Sequence, residues 1–131
     1  MFRIDLEQVD PKGMLKTKRP LRVVDAWDFL NEHAFNDELV RPSLKVSYRI
    51  FQKSNGKRHQ LLGAYGDSIQ YGKTIFISHL HDENPVESLF HEMVHQYQDE
   101  VLDSDYTTHG KEFKEIYAEA QERLCASLGL L

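Results

Sequence analysis

Asn84-Pro85-Val86-Glu87-Ser88-Leu89-Phe90-His91-Glu92-Met93-Val94-His95-Gln96-Tyr97 is the stretch from which the rest of the chain can be read. Asn84 supplies a helix N-cap, Pro85 the residue favoured at the first helical position, and Glu87 a capping-box carboxylate. Val86, Leu89, Phe90, Met93, Val94 and Tyr97 recur at three- and four-residue spacings and fall on one arc, a core-facing stripe. Ser88, His91, Glu92 and His95 take the other side. The pattern predicts a helix running to about Glu100. Residues four apart share a helix face, so the imidazoles of His91 and His95 can hold one cation between them, with Glu92 flanking the same place. This His-Glu-x-x-His pattern suits hydrolytic zinc chemistry: two nitrogen ligands, a position left for water, and a carboxylate to take that water's proton. The bland alternative is a solvated face that happens to carry two histidines. The capping signals and the stripe weigh against it.

Two histidines do not complete such a site, and a third protein ligand is needed. A metzincin would have Gly at position 98 and His at 101, where this chain has Gln98 and Val101, so that class is excluded. Val101 also argues against a nuclease with histidines spaced H-x₃-H-x₅-H. His109 is the stronger candidate. It stands at the start of a helix that must pack back beside the first, and Gly110 after it lets backbone approach closely. Glu112, Glu115 and Glu119 on that same helix are the carboxylate alternatives. His33 has no helical partner, and His79 and His81 read as exposed loop histidines near the site rather than as ligands.

At 131 residues the chain is long enough for one domain with a modest core, and its 40% hydrophobic and 28% charged residues are ordinary for a globular protein. No apolar run approaches a membrane span and the first ten residues lack a secretory core, so the expected location is cytoplasmic, with no membrane partner. The single cysteine, Cys125, excludes an internal disulfide or a cysteine zinc ribbon and is expected to be a buried structural thiol. The net charge of −5 is uneven. Residues 1–73 carry 13 Lys/Arg against 9 Asp/Glu, and residues 74–131 carry 3 against 12. Any contact with DNA would fall to the basic first half, though solvated charge is the simpler reading there.

The remaining chain reads as α+β. Residues 1–20 form a basic segment set apart from a domain over 21–131. Val23, Val24, Trp27, Leu30, Ala34 and Phe35 predict a helix over about 21–39. Three strands follow, at about 44–50, 59–65 and 73–79, with turns at Ser54-Asn55-Gly56 and Gly66-Asp67-Ser68; short turns between strands predict an antiparallel meander. The strand containing Ile75 to Ser78 is the expected edge, where an extended peptide could add. Gly63 reads as a weak point in the second strand. Phe113, Ile116, Tyr117, Ala120, Leu124 and Leu128 give the last helix its core face, with Thr107 or Thr108 as its N-cap.

His91-Glu92-Met93-Val94-His95-Gln96 followed by His109-Gly110-Lys111-Glu112-Phe113 resembles the SprT-like zinc metallopeptidases, whose eukaryotic branch is Spartan. Leu30-Asn31-Glu32-His33-Ala34-Phe35-Asn36-Asp37-Glu38-Leu39 is similar to the family's first helix, and Leu62-Gly63-Ala64-Tyr65 with Ile75-Phe76-Ile77-Ser78 to its middle strands, so the likeness covers about residues 21–128. The resemblance implies a zincin-like minimal metallopeptidase fold, zinc held by His91, His95 and His109, Glu92 as general base, and protein substrates that include DNA-associated ones. Many members continue into a DNA-binding zinc ribbon, which one cysteine cannot form. A different class of function, a DNA- or protein-binding adaptor in which zinc staples two helices, is the alternative.

Overall fold

The computed structural model describes residues 23–47, 50–54, 56–78 and 85–129. In chain order they form α1 (Val23–Ala34), β1 (Ser43–Ser47), β2 (Ile50–Ser54), β3 (Lys57–Leu61), β4 (Gly63–Ser68), β5 (Gly72–Ser78), α2 (Pro85–Glu100) and α3 (Lys111–Ser127). The expected α+β class holds, but the sheet is not an antiparallel meander. Residues 1–20, Asn84, His79 and His81 lie outside the described residues, so the readings made of them find no counterpart here.

α1 is shorter than its apolar periodicity suggests. Asn36 and Asp37 take left-handed backbone, φ 54 and 57, a conformation these two residue types tolerate better than most. Asn31 then clamps the exit: its amide donates to the Leu39 carbonyl and its side-chain oxygen accepts from the Leu39 N–H, both at 3.1 Å. Phe35 and Leu39 stay in the core although the helix has ended.

β5 lies at the centre of a three-stranded mixed sheet, order β1-β5-β4, parallel to β1 and antiparallel to β4. β2 and β3 pair only with each other. The expected first strand is therefore divided between β1 and β2, and the second between β3 and β4. Thr74, Ile75, Ile77 and Ser78 are all buried, and so apolar a strand gains most when flanked on both edges. A parallel partner needs a long crossover, which residues 48–71 supply. The Gly66-Asp67-Ser68 turn is also displaced: those residues continue β4 opposite Thr74, Lys73 and Gly72, and the chain reverses at 69–71, with Gly72 at φ 73.

All three helices contribute to one core: Trp27 and Leu30 from α1, Leu89, Phe90 and Met93 from α2, Phe113 and Tyr117 from α3, with Ile75 and Ile77 of β5 beneath. α3 starts later than expected, at Lys111 after an N-cap Gly110 that offers no side chain. Thr107 is not free to cap, because its N–H and hydroxyl both bond Asp105 Oδ1, at 2.9 and 2.6 Å. The Thr108 hydroxyl donates instead to the Asp105 carbonyl.

Candidate metal centre

The helical spacing delivers His91 and His95 to one side of α2, and the linker after α2 returns to place His109 against both. His109 Nε2 lies 3.0 Å from His91 Nε2 and 3.0 Å from His95 Nε2. A ring nitrogen carries either one proton or one lone pair, so ordinary hydrogen bonding satisfies at most one of these contacts well. Nitrogens gathered this way fit around a shared cation, and among the described residues these three histidines form a group that could bind a metal ion. His95 is buried, His91 half-buried and His109 exposed, so the group opens to solvent on one side.

Phe113 is the floor. Its ring centroid lies 4.8, 4.7 and 5.0 Å from those of His91, His95 and His109, and it is almost fully buried. In the sequence it reads only as a core residue of α3, because nothing in its spacing shows that its ring packs against all three imidazoles.

Burial sets the protonation of the group. Desolvation, then the neighbouring His95 and His109, push the His91 pKa down to about 4. Desolvation also lowers His95, against an upward push from its hydrogen bond to Gln98. These two rings are neutral near pH 7, which is the form that ligates metal. Glu92 is 6% exposed, and burial alone raises its carboxyl to about 8. Gly63 makes that burial possible: a Cβ there would stand 3.1 Å from Glu92 Oε2 and 3.2 Å from the Phe76 carbonyl. The glycine that weakens β4 as a strand is the gap into which the carboxylate fits.

The linker is tied down at two points. The Ser104 N–H bonds the Gln98 carbonyl at 2.9 Å and its hydroxyl donates to Glu112 Oε1 at 2.5 Å. Two residues on, Tyr106 packs edge-on against Tyr65, with the Lys73 ammonium 4.9 Å from its ring. Tyr65 donates to Asp99 Oδ2 at 2.6 Å, and Lys73 bridges Asp99 and Asp67 at 3.1 and 3.2 Å. Desolvation and the Asp99 hydrogen bond raise the Tyr65 pKa.

Of the carboxylate alternatives, Glu112 faces Ser104 and Gln98 and Glu115 lies beside Lys111; neither they nor Glu119 joins the histidine group. His33 bonds Ser127, away from it. Cys125 is a free, half-buried thiol rather than a buried one, since its position on α3 falls at the margin of the core stripe. No helix among the described residues is long and apolar enough to cross a membrane. No protein-family model, curated protein or solved structure matches the chain.

Proposed function

We propose that the protein is a zinc-dependent metallopeptidase of the SprT-like type, with a zincin-like minimal fold. His91, His95 and His109 hold the metal and Glu92 serves as general base. The convergence of three imidazole nitrogens beside a buried glutamate carries this reading. Zinc bonds of about 2.0–2.1 Å in a tetrahedron place ligand nitrogens about 3.3 Å apart, a few tenths of an ångström from the 3.0 Å contacts seen here. Three nitrogen ligands with one open side suit a catalytic zinc; a structural one is closed by a fourth protein ligand. Among the described residues no fourth His, Cys, Asp or Glu belongs to the group.

Held by these three histidines, zinc would supply Lewis acidity to a water and to the scissile carbonyl. Glu92 accepts the proton from the attacking water at its carboxylate and returns it to the leaving amine. Burial makes this carboxylate a stronger base than a solvated one, while a neighbouring dication favours its ionised form. An extended substrate would align on β4. That strand is an edge of the sheet among the described residues and touches Glu92 through Gly63; the expected edge, β5, is enclosed. Backbone pairing of this kind favours flexible or unfolded protein segments. The family resemblance extends the proposal to DNA-associated proteins.

The test measures zinc per chain and cleavage of a disordered protein, with and without single-stranded DNA. Glu92→Gln should keep the zinc and lower cleavage by about 10²–10⁴-fold. Undiminished cleavage would remove Glu92 from the mechanism. Zinc enclosed by four protein ligands, with no cleavage by the wild type, would favour the adaptor.

A further inference from the structure

We propose that Gln98 and Glu112 are positioning residues that fix the tautomer of His95, keeping its proton on Nδ1 and its Nε2 lone pair turned toward His91 and His109. The inference rests on the metal-site reading for its purpose, but its geometry stands alone. Gln98 is fully buried. Its Oε1 lies 3.0 Å from His95 Nδ1, and its Nε2 lies 3.4 Å from Glu112 Oε1. The same Glu112 oxygen accepts from the Ser104 hydroxyl at 2.5 Å.

Glu112 Oε1 accepts, so the group that Gln98 presents to it is its NH₂. The amide oxygen is then left facing His95. An oxygen acceptor at 3.0 Å requires a donor, so Nδ1 carries the proton. A neutral imidazole has one proton, and Nε2 is left with its lone pair. Glu112 is itself held by Ser104, whose backbone N–H bonds the Gln98 carbonyl at 2.9 Å. Glu112 stands three residues past His109, so the turn that brings in the third histidine also orients the second. Hydrogen bonds that orient a ligating histidine commonly hold metal affinity at the level of about 10–100-fold.

The experiment reads the tautomer directly. Metal-free protein labelled with ¹⁵N at histidine is studied by long-range ¹H–¹⁵N correlation at about pH 8, above the ordinary imidazole value. The His95 signals are assigned by their loss in His95→Ala. The wild type should show His95 protonated at Nδ1; protonation at Nε2 overturns the proposal. Gln98→Leu should let the Nε2–H form appear and weaken zinc binding about 10–100-fold in a chelator competition. An unchanged tautomer in that variant overturns the role of Gln98. Should Gln98→Leu not fold, the exchange Gln98→Glu with Glu112→Gln decides. It returns an acceptor to Nδ1 and a donor to position 112, so the Nδ1–H form should persist, and its loss overturns the proposal. Because the tautomer is read without metal, an absence of zinc binding or of cleavage would count against the function proposed above and not against this inference.

Discussion

α2 carries two polar clusters, one closed within the protein and one open to solvent on one side. Around Gln96, every bond closes within the protein: Trp27 Nε1 donates to its oxygen at 3.2 Å, and its NH₂ donates to the Val40 carbonyl at 2.6 Å and to Glu100 Oε1 at 3.1 Å. Around the adjacent His95, Nδ1 faces Gln98 Oε1 at 3.0 Å while Nε2 lies 3.0 Å from His109 Nε2. Buried polar groups are costly unless satisfied. Gln96 joins α1, the following loop and α2 into one piece. The histidine cluster, open to solvent on one side, is a group that could bind a metal ion.

Two substitutions separate the two clusters, and the larger effect belongs to the floor of the candidate metal centre. Phe113→Ala removes a buried ring and should cost about 3–5 kcal/mol of stability in chemical denaturation. It also frees three imidazoles from their common support, so zinc affinity should fall as well, by about 10–100-fold. Gln96→Leu strands the Trp27 N–H and the Val40 carbonyl, a cost of about 1–3 kcal/mol, and should leave zinc affinity unchanged. If zinc binding weakened equally in both variants, the two clusters would not be independent and the contrast would fail.

The parts of this arrangement that repeat locally are legible in the sequence. α2 declares itself through Pro85, Glu87 and its apolar stripe, and a four-residue spacing is enough to put His91 and His95 together. His109 follows because a short linker into an apolar helix leaves few places for that helix to go. The sheet is less legible, since alternation in Leu44 and Val46 says which face is buried but not which strand lies alongside; the β1–β5 pair spans residues 48–71 and has no local signature. The supporting shell is hidden for a similar reason. Gln98 looks like a failed metzincin glycine, Glu112 like a spare ligand, and Gly63 like a defect. Glu112 and Gly63 are read differently only once their partners distant in the chain, Gln98 and Glu92, are in view.

The smallest effect concerns the charge state of the open cluster when no metal is bound. Burial raises Glu92 from its ordinary value to about 8, so the folded protein keeps a proton that the unfolded chain has already released above about pH 4.5. The stability tied to that proton is fully present below the unfolded value and is lost as pH rises through the folded one. His91 works the other way. Its pKa falls to about 4, so between about 6.5 and 4 the unfolded chain takes up the proton first and stability is lost on acidification. The two slopes oppose each other below about pH 6.5, and above it Glu92 acts alone. Metal-free wild type should therefore lose on the order of 1–2 kcal/mol between about pH 6.5 and 8, read as a falling urea midpoint. Glu92→Gln has no carboxyl to ionise and should show no such fall. A wild type whose midpoint held steady or rose over that range would mean the Glu92 pocket is wetter than the contact with Gly63 indicates, and Glu92 would lose the basicity that its burial confers.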